Sequence, residues 1–182
     1  MLFSDAPFVD RQEELEFLRC AFAKKSAELL ILYGRRRVGK TALLQHFAAR
    51  SSLRVLYHVA AQTTAREELS RFSQRLASFF RDTLPELQPF TSWEALLEYL
   101  GAKARQEEFG VLLDEFSYAV EGDRSLPSHL QSAWDNRFGR TRVKMVLCGS
   151  SISMMENVGL LPSSPLYGRR TGQWRLEPLS PE

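Results

Sequence analysis

The chain has 182 residues, 44% of them apolar and 25% charged, enough for one domain with a proper core. Its 24 Lys and Arg face 22 Asp and Glu, and the net charge of +2 is too small to argue for nucleic acid on charge alone. Cys20 and Cys148 are far apart and match no metal spacing, which points to a reduced, cytoplasmic protein, and no apolar run is long enough to cross a bilayer.

The start, MLFSDAPF, has no basic segment followed by an apolar core, so no signal peptide is expected. Asp10 with Glu13 reads as a capping-box start, and Leu15, Leu18 and Phe22 then form one apolar face of the expected helix. Leu29 to Tyr33 is an apolar strand, and Ala42 to Arg50 carries Leu43, Leu44 and Phe47 at helical spacing. A second strand spans Arg54 to Ala60. Thr64 with Glu67 opens a helix with Leu69, Phe72, Leu76 and Phe79 on one face. Asp82 to Phe90, with Pro85 and Pro89, breaks the helical pattern. Thr91 with Glu94 opens the next helix, backed by Trp93, Leu96, Leu97 and Leu100.

Val111 to Asp114 is a third strand. Gly122 to Ser125 is a turn, with Ser125 placed to cap a helix carrying Leu130, Trp134 and Phe138. Val143 to Cys148 is a fourth strand, and Gln173 to Leu176 a weaker fifth. The first four strands are short and nearly continuously apolar, as parallel strands covered on both faces are. Strands alternating with helices predict an α/β fold, a three-layer arrangement with a five-stranded, mainly parallel sheet and helices on both faces. Such sheets place ligands at the carboxyl ends of their strands, here Gly34, Ala61, Glu115, and Gly149 with Ser150.

Gly34-Arg35-Arg36-Arg37-Val38-Gly39-Lys40-Thr41 fits G-x-x-x-x-G-K-[ST], the phosphate-binding loop of P-loop NTPases. The glycines let backbone N–H groups turn towards phosphates. Lys40 is the residue for the β- and γ-phosphates, and Thr41 for Mg²⁺. Ala42 continues the loop into a helix whose N-terminus points at the anion. Arg35, Arg36 and Arg37 occupy the variable positions. They read as solvated loop-tip side chains, or else one of them meets a partner or a nucleic-acid phosphate.

A phosphate loop needs a carboxylate for its metal, and VLLDE supplies an apolar strand ending in two. Asp114 would hold the Mg²⁺ shell and Glu115 would deprotonate a water for in-line attack. Where a catalytic glutamate adjoins the metal-binding aspartate, the next strand inserts between the two motif strands. Its tip, LCGSS, would bring Ser150 or Ser151 to the γ-phosphate. Either serine also suits the N-cap of a helix over 152–156. His46, His58 and His129 stand isolated and read as packing or surface residues.

The motifs FVDR with Glu13 and Glu14, YGRRRVGKT, LLDEF, LCGSS and PLYGRRTG resemble, in order along nearly the whole chain, the archaeal-type ATPases. These belong to the signal-transducing STAND NTPases, relatives of the AAA+ class. The resemblance implies that Phe8, Val9 and Arg11 belong to a box that packs against adenine, with Asp10 where glycine is usual. It implies that Arg169 or Arg170 acts as an arginine finger or γ-phosphate sensor, the alternative being an ordinary surface pair. A finger would also imply self-association.

The resemblance further implies ATP rather than GTP, a nucleotide-controlled switch and a protein partner. It implies a core of residues 1–182, with an adenine-side segment over 1–27 and the core proper over 28–182. The C-terminal lid of relatives is expected to be absent, so binding should survive better than turnover. The leading expectation is a Mg²⁺-dependent ATP-binding and ATP-hydrolysing domain. A non-catalytic nucleotide-binding module is the alternative. A small-molecule kinase is disfavoured by Asp114-Glu115, and DNA binding is carried only by the arginines and by what relatives append downstream.

Overall fold

The structure is a computed structural model that describes residues 11–179. Asp10, expected to cap the first helix, lies outside these residues, as do Phe8 and Val9. The elements run α1 (Gln12–Ala23), β1 (Glu28–Tyr33), α2 (Lys40–Arg50), β2 (Val55–Val59), α3 (Ala65–Phe80), α4 (Leu84–Leu87) and α5 (Trp93–Ala104). They continue with β3 (Gly110–Asp114), α6 (Phe116–Gly122), α7 (Leu126–Asn136), β4 (Lys144–Gly149), α8 (Ile152–Met155) and β5 (Gly172–Arg175).

The five strands form one sheet in the order β2-β3-β4-β1-β5, every pairing parallel. The strand after Asp114 is therefore inserted between the two motif strands, as the motif order implied. Side chains alternate across the sheet. Leu30, Leu32, Leu112, Val146 and Cys148 face α1 and α2 in one apolar cluster. Leu29, Ile31, Val111, Leu113, Met145 and Leu147 face the helices of the other layer, with Phe72, Leu97, Phe116 and Leu130 among their neighbours. Burying one such leucine stabilises by about 1.5–3 kcal/mol, so the alternation sets which face each helix covers.

β1, β3 and β4 are buried along nearly their whole length. β2 departs from the expected two-sided burial because it is an edge strand whose residues alternate between buried and partly open. Two of its carbonyls are covered from α3. Arg75 donates to the Tyr57 carbonyl at 2.7 Å and Arg71 to the Val59 carbonyl at 3.3 Å. These arginines occupy acceptors that a stray strand would otherwise find.

The helix starts hold with local corrections. Thr64 caps α3, accepting from the Glu67 N–H. The cap of α5 is Ser92, one residue beyond the expected Thr91, and it accepts from the Ala95 N–H. Ser125 precedes α7 but makes no cap bond: its backbone is already helical at φ −82°, ψ −12° rather than extended as a capping residue's is, and its hydroxyl donates to Asp123. Phe138 leaves the helix for a 3-10 turn at Phe138–Arg140. The break over 82–90 contains α4, with Pro85 in its first turn, where a missing N–H costs nothing.

Candidate phosphate-loop site

β1 delivers the chain to Gly34, where the Leu176 N–H donates to the Tyr33 carbonyl at 2.7 Å. A Cβ at Gly34 would lie 2.3 Å from the Leu176 carbonyl oxygen, so no other residue fits between the loop and the chain leaving β5. Gly39 has φ +92°, the left-handed region that side chains avoid, and directly precedes α2. No side chain caps that helix, and the first N–H groups of an uncapped helix are donors available to an anion. The sequence thus builds a closed turn ending in an electropositive helix start.

Lys40 is 5% exposed and its ammonium donates to the loop carbonyls of Gly34 at 2.8 Å and Arg35 at 2.6 Å. Arg35, Arg36 and Arg37 are exposed at the tip, and Arg36 donates to the Tyr118 hydroxyl at 3.0 Å. Ala42 is exposed in the first turn of α2, whereas Val38 is buried under the loop. Arg11 is buried and ties three segments together. It donates to the Val38 carbonyl and the Glu177 carbonyl, each at 2.8 Å, and pairs with Glu14 at 2.8 Å. In the described residues Arg11 braces the loop from below.

Asp114 ends β3 and is wholly buried. Its Oδ2 accepts from the Thr41 hydroxyl at 2.7 Å and its Oδ1 from the Glu115 N–H at 2.9 Å. The loop and the strand-end carboxylate, 73 residues apart, are therefore in direct contact. Glu115 follows in the left-handed region at φ +52°. Such a conformation in a non-glycine costs of order 1–3 kcal/mol and concentrates at functional sites. Its carboxylate accepts from the Ser150 hydroxyl at 3.1 Å. Ser151 precedes α8 without capping it through its side chain. Of the two serines, Ser150 is the one joined to the acidic pair.

Lys40, Thr41, Asp114, Glu115 and Ser150 thus converge at the carboxyl ends of β1, β3 and β4. Arg169 and Arg170 do not join them. The Thr171 N–H donates to the Leu29 carbonyl, and Gly172 lies beside Leu30, so this pair sits at the amino end of the sheet. The four residues of β5, at about 3.3 Å each, separate it from the loop's end. Arg169 is held by a two-pronged pair with Asp135, at 3.0 and 2.7 Å, and Arg170 lies over the Tyr167 ring. Neither arginine therefore lies beside the phosphate loop of its own chain.

A family model for an ATPase domain found predominantly in Archaea matches residues 8–182. The chain belongs to that family. An uncharacterised protein of Methanocaldococcus jannaschii is 34% identical to this archaeal-type ATPase domain over 172 residues, 94% of this chain and 36% of that protein. An uncharacterised ATP-binding protein of the same organism is 60% identical over 40 residues, 22% of this chain and 68% of that one. The Walker-type ATPase of Pyrococcus abyssi superposes with a TM-score of 0.65 at 24% identity, over 94% of this chain and 54% of that chain. Cdc6p of Pyrobaculum aerophilum superposes with a TM-score of 0.67 at 18% identity, over 98% of this chain and 48% of that chain. At these identities the two structures speak for the P-loop fold alone. The chain spans little more than a third of the first relative's length and about half of each solved structure.

The ATPase domain also contains contacts that its motifs did not announce. The Tyr57 hydroxyl on β2 donates to Asp114 Oδ2 at 2.8 Å, and burial, then the aspartate, pushes its phenol up. Burial, then the same carboxylate, pushes the Cys148 thiol up. A tyrosine in a strand has no motif to mark it, and only the pairing of β2 with β3 brings it to Asp114. His58 is not isolated. It is buried, bonded to Glu68 and stacked on Phe72 at 4.4 Å, which is a packing role. Among the described residues no helix is long and apolar enough to cross a membrane.

Proposed function

We propose that this domain binds ATP with Mg²⁺, hydrolyses it, and works as a nucleotide-controlled switch of the STAND type. The observation that carries the reading is the Thr41–Asp114 contact with Glu115 and Ser150 beside it. The residues suit magnesium. Among the described residues no cluster of three or more acidic, histidine or cysteine groups forms a cage. Magnesium in NTPases needs none, because it takes one or two protein groups plus phosphates and waters.

Thr41 and Asp114 would hold the ion, which when bound neutralises charge on the transferring phosphoryl group. Lys40 would exchange its two loop carbonyls for phosphate oxygens, a charge-assisted contact stronger than the one it leaves. The helix start and loop N–H groups would take the remaining phosphate oxygens. Glu115 would accept the proton of the attacking water, with Ser150 holding its carboxylate in line. Nucleotide state would then be felt at Glu177 through Arg11, which joins the loop to the chain beyond β5.

A second reading is a nucleotide-binding module without turnover of its own. It is favoured by the position of Arg169 and Arg170, which can reach a γ-phosphate only in another copy. ATP binding and phosphate release with Mg²⁺, measured across protein concentrations for the parent, Lys40→Ala and Glu115→Gln, decide the matter. Release that rises more than linearly with protein, and is lost in both variants, supports a self-assembling ATPase. Binding without release supports the module. A parent chain that binds no nucleotide defeats both.

A further inference from the structure

We infer that Tyr57 is a positioning residue for the metal–nucleotide complex, through its hydroxyl on Asp114; this rests on the nucleotide reading above. Tyr57 lies on β2 beside Leu112, two residues short of the strand-end aspartate. Its ring packs into the apolar cluster beneath α2. A phenylalanine would fill the same volume, so packing does not call for the hydroxyl. The hydroxyl reaches diagonally across the strand pair to the wholly buried Asp114.

Asp114 Oδ2 receives two O–H donors, Thr41 at 2.7 Å and Tyr57 at 2.8 Å, while Oδ1 receives the Glu115 N–H at 2.9 Å. Three donors from three elements leave the carboxylate one orientation. Thr41 must keep its proton on Asp114 if its oxygen lone pair is to face a cation. Tyr57 supplies the second anchor that stops the carboxylate turning away when Thr41 takes up that role. Groups bonded behind a metal's protein partners tune its affinity, and β2 contributes such a group from outside both sequence motifs.

The test is Mg²⁺ dependence rather than turnover. Binding of a fluorescent ATP analogue is titrated with Mg²⁺, and in EDTA, for the whole parent chain, Tyr57→Phe and Tyr57→Ala. Mn²⁺ held in the presence of ADP is read independently by electron paramagnetic resonance. Tyr57→Phe is expected to raise the half-saturating Mg²⁺ about tenfold or more, with metal-free nucleotide affinity within about twofold of the parent. Tyr57→Ala shows the same Mg²⁺ shift and in addition a lower melting temperature, because it also removes the ring. A Tyr57→Phe chain with the parent's Mg²⁺ and Mn²⁺ dependence overturns the inference and leaves the nucleotide reading standing. Equal loss of binding with and without Mg²⁺ also overturns it, in favour of packing. A parent that binds no nucleotide removes both.

Discussion

Lys40 and Lys144 bury their ammonium groups at opposite ends of the same sheet, and both donate to backbone carbonyls. Lys144, with no exposed surface, donates to Lys24 at 2.7 Å, Ser26 at 2.6 Å and Arg142 at 3.0 Å, with Glu108 at 3.5 Å. All three of its protons are used, and they fasten the α1–β1 connection to the start of β4. Burial pulls its pKa below the ordinary lysine value, and Glu108 opposes that. Lys40 donates to only two carbonyls, both within its own glycine-framed loop. A buried lysine is therefore not by itself a site. The difference lies in whether its acceptors are fixed framework or a turn that can trade them for a ligand.

The largest expected effect falls on the loop's end of the sheet. Glu115→Gln should lower phosphate release on the order of 10²–10⁴-fold while ATP affinity stays, as release and binding assays on one preparation would show. Lys40→Ala should cost about 10²–10³-fold in release, the scale for removing one preorganised electrostatic donor. Its melting temperature should fall less than that of Lys144→Met, since Lys40 leaves one buried carbonyl, that of Gly34, without its donor, and the Arg35 carbonyl is only partly buried.

Lys144→Met should do the reverse. It strands three carbonyls at the amino end, and denaturant titration should show a loss of about 3 kcal/mol with nucleotide affinity kept. A Lys144→Met chain that folds stably but fails to bind ATP would break the comparison.

The smallest effect concerns the buried pair behind β2. Desolvation, the largest influence, raises Glu68, but the His58 bond, the Ala61 N–H and Arg71 outweigh it and hold the carboxyl below its ordinary 4.5. The folded state therefore binds this proton less readily than the unfolded one. The contribution is fully present above about pH 4.5 and is lost as pH falls through the lower folded value. Glu68→Gln should flatten that acid limb in a pH series of melts, and an unchanged acid limb would show that other carboxylates govern it.

Five parallel strands, the phosphate loop and the Asp114-Glu115 pair were legible because each rests on neighbours a few residues apart. An apolar run makes a buried strand, and glycines at fixed offsets make a turn that a phosphate can enter. Ser150 was legible as one of two candidates, and its bond to Glu115 separated it from Ser151. Arg169 and Arg170 were legible as residue types but not as a location. They precede a parallel strand, and the residues before such a strand lie at the end of the sheet away from the loop. His58 found Glu68 and Tyr57 found Asp114 only once helix α3 and strand β3 packed beside β2. By itself the sequence determined the strands, the loop and the carboxylates, since backbone geometry and hydrophobic period act locally. The tertiary structure alone decided which side chains share a hydrogen bond, because those partners meet only through strand order and helix packing.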